Sequence, residues 1–217
     1  METRFRDRAD AGRRLGARLI RSDWVDPIVL GLARGGVVVA AEVARTLGAQ
    51  LDVVVARKVG APANPEYGIG AVGPSGARHF DRDMVDRLGI GESELEDLAV
   101  REAQEVDRRT AAYRAGRPSP NLAGRDVILV DDGLATGVTA AAVASAIRVL
   151  GPRRLVLATP VCSPSAERRL RQSVDDVVCL CSPEGFRSVG EWFEDFTQTT
   201  DEEVQGLLVH DRRGYVA

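Results

Sequence analysis

Cysteine and histidine are scarce in this 217-residue chain, with three of the first and two of the second. Cys162, Cys179 and Cys181 make an odd number, and the C-x-C pair would turn both thiols to one face of an alternating strand. They read as core residues, because free cysteine is among the most buried residue types, and they are too few to hold a metal alone. His79 and His210 have no evident partner in the sequence and are assigned no catalytic role. Long apolar runs are also missing: none approaches the roughly 20 residues that span a bilayer. The N-terminal METRFRDRADAGRR carries no apolar stretch after its charges, so a cytoplasmic protein without a membrane partner is expected. Nor is there a basic excess. A formal charge of -3 and a pI near 5.6 argue against a general nucleic-acid binder, and no DNA partner is expected. Contact with a specific RNA stays open.

What is present is the mixture of a soluble globular protein, 44% hydrophobic and 28% charged residues, at a length that suits one α/β domain with some elaboration. Ala11, Leu15 and Leu19 predict an outer helix over about residues 7–22. PIVLGLA (27–33), ARGG and VVVAAEVARTLG read as strand, tight turn and helix, ended by Gly48. LDVVVARK (51–58) then predicts a second buried strand, which completes a βαβ unit. Residues 59–80, rich in Gly and Pro, are too long for a mere connector; they read as two short strands or a mobile flap. A possible capping box, Ser93 with Glu96, opens a long helix at about 93–115. Strands at 125–132, 153–161 and 175–183 alternate with helices after 137 and at 163–173, which implies a mostly parallel sheet covered on both sides. The last stretch, with one of the two tryptophans and three of the five phenylalanines, reads as a short cap over one end of the sheet.

The strongest chemical signal is VILVDDGLATGVTA, residues 127–140. Four apolar strand residues lead to two adjacent carboxylates and then to a Gly/Thr-rich turn that opens a helix. Unpaired N–H groups and the positive end of the helix dipole make that turn an anion site. Thr136 and Thr139 add hydroxyl donors, and Gly137 lets the backbone come close. Asp131 and Asp132, one step upstream, can accept hydrogen bonds from sugar hydroxyls. Like charges side by side at the end of a buried strand are costly unless a ligand uses them. No G-K-[ST] follows, so this is not a Walker A loop, and the three-glycine dinucleotide fingerprint is absent.

These residues resemble the phosphoribosyl-pyrophosphate motif of the type I phosphoribosyltransferases. The resemblance implies a Rossmann-like core, a mostly parallel sheet flanked by helices with a small C-terminal hood and a flexible flap, in a single domain with its core at about 25–182 and its hood at about 183–210. It implies that Asp131 and Asp132 hold the ribose hydroxyls of 5-phosphoribosyl-1-pyrophosphate, while Ala135, Thr136, Gly137, Val138 and Thr139 wrap the 5-phosphate. Where the hypoxanthine-guanine branch has an Asp, this chain has Ala135, as the adenine and orotate branches do, so no base-protonating role passes to it.

Three further segments extend the resemblance. LARGGVV (32–38) looks like the pyrophosphate loop, in which Arg34, Gly35 and Gly36 would offer N–H groups and which often contains a cis peptide in this family. ARKVGAPANPEYGIG (56–70) is similar to the catalytic loop: Arg57 and Lys58 would neutralise the leaving group, and Tyr67 with Glu66 would close over the site. SPEGFRSVGEWFEDF (182–196) resembles the hood, with Phe186 and Trp192 as candidates to stack on a base. The implied reaction transfers the phosphoribosyl group to a nitrogen nucleophile, a nucleobase as a small-molecule acceptor, with magnesium on the donor. Two readings remain beside it: a non-catalytic sensor of the same donor, and a general nucleotide-binding module. Oligomeric state, a homodimer included, stays open.

Overall fold

The computed structural model describes residues 4–210, except the side chains of Glu66, Ser75 and His210, so the proposed part of Glu66 in the flap lies outside the described residues. Five parallel strands, β1 (Ile28–Leu32), β2 (Gln50–Val54), β6 (Asp126–Val130), β7 (Arg154–Val161) and β8 (Asp176–Cys181), form one sheet in the order β2-β1-β6-β7-β8. Alternation along each strand feeds two separate cores. Ile128 and Val130 of β6 join the cluster under α1 (Arg8–Leu19), α2 (Gly35–Leu47) and α7 (Asp201–His210), whereas Val127 and Leu129 join the one under α5 (Val138–Val149) and α6 (Pro164–Leu170). Both faces are dry, which is why the central strands read as unbroken apolar runs.

The segment read as one strand at 51–58 is two. β2 stops at Val54, and Arg57 opens β3 (Arg57–Ala61), which pairs antiparallel with β4 (Asn64–Val72); β5 (Arg78–Phe80) completes a separate three-stranded sheet. The 59–80 segment therefore forms a meander with its own ladder. α3 (Arg82–Arg87), absent from the sequence reading, leads into α4 (Glu92–Arg114). The capping box at Ser93 is also corrected: Gly91 is the N-cap, without a side-chain bond, and Glu96 pairs instead with Arg78 of the meander. Cys162 is buried, with its thiol 2.8 Å from that of half-buried Cys179, and Cys181 is half-buried on the edge strand.

The stretch after β8 has two parts. Residues up to about 200 cover the end of the sheet and pair with the N-terminal segment, Phe5 N–H donating to Trp192 O and Glu194 N–H to Phe5 O, both at 2.8 Å. α7 then drops back into the main core through Val204 and Leu208. No helix among the described residues is long and apolar enough to cross a membrane.

β6 carries carboxylates at both ends, and the two ends differ. Asp126, fully buried, accepts from Val25 N–H at 2.8 Å and from Arg153 Nε at 2.8 Å, so its bonds are spent inside the fold. Asp126→Ala would strand the Val25 N–H, at a cost of about 1–3 kcal/mol. The expected result in a thermal melt is a fall of several degrees, at about 2–4 °C per kcal/mol for a chain of this size, with ligand binding at the other end of the strand unchanged.

Candidate active site

β1 and β6 are neighbours, paired from Ile28↔Val127 to Gly31↔Val130, and the strand order reverses between them. Beyond β1 the chain turns into α2 on one face; beyond β6 it turns into α5 on the other. The diverging connections leave a crevice at the carboxyl ends of the two strands, the usual ligand position in an open α/β sheet. The loop at Arg34, Gly35 and Gly36 and the pair Asp131 and Asp132 meet there. A Cβ on Gly35 would lie 2.0 Å from Asp132 Oδ2 and 2.6 Å from Arg8 Nε, and one on Gly36 would lie 2.7 Å from Val130 O. Only glycine permits this approach. The Ala33–Arg34 peptide is cis, and Ala33 N–H donates to Val54 O at 2.9 Å, which roots the loop on β2.

The acidic pair is electrostatically loaded. Burial first, and the neighbouring Asp132 charge second, push the Asp131 carboxyl well above the usual carboxylate range, against the opposing pull of the Asp132 N–H and of Arg8. Asp131 Oδ1 accepts from Asp132 N–H at 2.9 Å. Asp132 Oδ2 accepts from Arg8 Nε at 2.7 Å, with both side chains largely buried. A half-buried carboxylate held in a cleft with a displaced proton affinity is the ordinary mark of a ligand site.

The turn after the pair is pinned from β7. Leu134 N–H donates to Val161 O at 2.9 Å, Ser163 N–H to Leu134 O at 2.8 Å, and Ser163 Oγ–H to Ala135 O at 2.6 Å. Ala135 and Thr136 remain exposed, and Val138 and Thr139 are half-buried. Gly137 caps α5 with φ 72°; a side chain there would be strained and would also press on Leu170 at 3.0 Å. No side chain caps α5, and its first turn holds no acidic residue. Its first N–H groups are thus left for an outside anion.

The other candidates stand around this centre. Arg34 lies 3.6 Å from Asp201 of α7, which also accepts from Tyr113 OH at 2.6 Å; burial and that bond push the Tyr113 phenol up to about 12. Arg57 pairs with Glu102 of α4 at 2.8 Å, and the Lys58 stem runs over Gly68. Tyr67 is exposed on β4 with its hydroxyl on Met84 Sδ, 3.0 Å away. The two hood aromatics differ. Trp192 is 6% exposed in a cluster with Phe5, Ala11, Val161 and Phe193, whereas Phe186 is half-buried at its margin. Val189 of the hood lies over Gly133, where a Cβ would meet Val189 Cγ1 at 2.2 Å.

Sequence reasoning missed Arg8, Val189, Ser163 and Asp201. Ser163 had a local signal, a serine before proline opening a helix; Arg8 had none. Among the described residues no group of three or more His, Cys, Asp or Glu is placed to cage a metal ion.

A family model for the phosphoribosyl transferase domain matches residues 3–197. Two Mycobacterium tuberculosis proteins, MT0597 of strain CDC 1551 and Rv0571c of strain H37Rv, carry provisional descriptions as phosphoribosyl transferases, and each is 41% identical over 211 residues, 97% of this chain. The match takes in 48% of each, so the chain spans about half the length of these curated relatives. The crystal structure of TT1426 from Thermus thermophilus is similar at 46% identity and TM-score 0.83, over 95% of this chain and 98% of that one. AQ2163 from Aquifex aeolicus, at 11% identity and TM-score 0.50 over 84% of this chain and 78% of that one, shares the fold.

Proposed function

This chain belongs to the phosphoribosyl transferase domain family, and from that premise we propose that its crevice binds 5-phosphoribosyl-1-pyrophosphate and transfers the phosphoribosyl group to a nitrogen nucleophile, a nucleobase in the first instance. The observation that carries the reading is the seating of the Gly35–Gly36 backbone directly on the Asp131 and Asp132 pair, beside the uncapped start of α5. One crevice thereby offers acceptors for two ribose hydroxyls and N–H donors for phosphate on either side of them.

In this reading the hydroxyls donate to Asp131 and Asp132, residues 135–139 hold the 5-phosphate, and the N–H groups of the Arg34–Gly36 loop hold the pyrophosphate. The acceptor nitrogen attacks the anomeric carbon while the C1–O bond breaks, its electron pair leaving with pyrophosphate. Arg57 and Lys58 neutralise the charge that builds on the leaving oxygens, an interaction strongest in the transition state. For Arg57 this means exchanging Glu102 for the leaving group. Tyr67 would close over the crevice with the meander. Magnesium fits as a passenger on the donor, since it favours phosphate oxygens and water over an all-protein cage; the two adjacent carboxylates suit hydroxyls and metal-bound water alike.

Phe186 is proposed as the base-stacking ring. Trp192, enclosed in its cluster, is proposed as the support beneath it. Phe186→Ala is then expected to raise the acceptor KM by about ten-fold or more, base stacking being worth roughly 1–3 kcal/mol, with donor affinity nearly intact. The reading is tested by pyrophosphate release from the donor with magnesium across a panel of purine and pyrimidine bases. Tight donor binding with no release for any base would turn it toward a donor sensor.

A further inference from the structure

We infer that Arg8, at the start of α1, is a positioning residue that sets the Asp132 carboxylate and the hood with a single guanidinium. The inference rests on the ribose-binding role proposed for the acidic pair and names a residue that neither the motif nor the hood contains.

Three parts of the fold, the end of β6, the hood and the loop before α2, converge on this side chain. Its Nε donates to Asp132 Oδ2 at 2.7 Å, and its NH1 donates to Thr197 O at 2.7 Å. Its guanidinium carbon sits 3.9 Å from the centroid of the Phe196 ring. On the crevice side it borders Gly35, where a Cβ would come within 2.6 Å of Nε. α1 itself is firmly seated, since a Cβ at Gly16 would lie 2.7 Å from Thr46 Oγ1 of α2. A planar fork satisfies two acceptors at fixed angles while its face rests on an aromatic ring; an ammonium offers no such plane. A carboxylate has about four acceptor positions, so Arg8 can hold one oxygen of Asp132 and leave room for a hydroxyl. The bond is therefore a fixed support that the sugar does not have to displace.

The same cation bears on the charge of the pair. Among the charged groups acting on Asp131, Asp132 disfavours its ionisation and Arg8 favours it; Arg8 also favours ionisation of Asp195 in the hood. Removing Arg8 takes away the cation bonded to Asp132, and donor binding, which needs both carboxylates as acceptors, should then require a higher pH.

The test is calorimetric binding of the magnesium complex of 5-phosphoribosyl-1-pyrophosphate across a pH series, with the parent, R8A, R8Q and R8K. R8A and R8Q are expected to bind about ten-fold or more weakly near neutrality, as for a lost charged hydrogen bond, and their acid limbs should move to higher pH. R8K, with the charge but not the fork, should keep the parent limb and lose less affinity. R8Q covers the case in which R8A folds poorly, and sulfate binding at the 135–139 turn reports that the crevice is intact. Affinity within two-fold of the parent overturns the inference, and so does lost affinity with an unmoved limb, the signature of Arg8 merely propping the hood. If the parent itself fails to bind the donor, the proposed function falls. Arg8 is then judged by the carbon-13 titration of the Asp131 carboxyl, where a midpoint no higher in R8Q than in the parent overturns the positioning role.

Discussion

Asn at both 131 and 132 is expected to weaken magnesium-dependent donor binding by at least ten-fold, because each charged hydrogen bond lost is worth about 1.5–3 kcal/mol. The single changes should differ in their effect on the fold. Asp131 is pushed well above the ordinary carboxylate range by burial and by Asp132. A carboxyl with a raised folded-state pKa costs nothing below its unfolded value and costs stability once the pH climbs past it. At neutral pH, then, Asp131→Asn should raise the melting temperature by a few degrees, about 2–4 °C per kcal/mol recovered, while donor affinity falls. Asp132 is paired with Arg8 at 2.7 Å, so Asp132→Asn weakens a bond that is already satisfied and should bring no such gain. Unchanged calorimetric affinity in a folded double variant would sink the ribose assignment; lower stability of Asp131→Asn at neutral pH would show that its carboxylate serves the fold rather than a ligand.

Gly35→Ala should be as damaging to binding and, unlike the acidic pair, damaging to the fold as well. The new methyl would lie 2.0 Å from Asp132 Oδ2 and 2.6 Å from Arg8 Nε. Neither neighbour is free to give way, since they hold each other and Arg8 is further fixed by Thr197 O and the Phe196 ring. Either the loop lifts off the crevice or the carboxylate swings away, and both outcomes remove donors or acceptors from the ligand. Overpacking of this kind costs about 1–3 kcal/mol of stability, and the displaced groups should lower donor affinity by about ten-fold or more. Gly36→Ala is the stricter case, because its methyl would meet Val130 O, a backbone atom of the central sheet, at 2.7 Å. A folded Gly35→Ala chain that binds the donor as tightly as its parent would remove the loop from the site.

The parts legible in the sequence are those whose cause is local. A strand buried on both faces must be apolar throughout, so β1, β6 and β7 stand out as runs, and their alternation with helices carries the parallel sheet. The turn proposed to hold phosphate is legible for the same reason, because a left-handed Gly137, an uncapped helix start and two preceding carboxylates are neighbours in the chain. Errors fell where a distant part of the fold decides. Residues 51–58 are apolar enough for one strand, but β2 is needed only as far as Val54, whose carbonyl roots the Ala33 loop; the chain then leaves for a second sheet. Ser93 and Glu96 have the spacing of a capping box, yet Arg78 of the meander takes Glu96. Trp192 and Phe186 look alike on paper, yet Trp192 lies within the cluster that the N-terminal Phe5 joins and Phe186 packs only at its margin.

The sequence by itself determined the class of fold, the family and the position of the glycine- and threonine-rich turn with its acidic pair, since backbone preference and apolar periodicity act between residues a few places apart. The tertiary structure alone decided which groups meet across the crevice. Asp132 found its cation 124 positions away in Arg8, Arg34 met Asp201 of the last helix, and Val189 closed over Gly133. These pairings arise when strands adjacent in the sheet and remote in the chain bring their ends together, and packing is their only source, because nothing in the local preference of an arginine on a first helix specifies the carboxylate it will face.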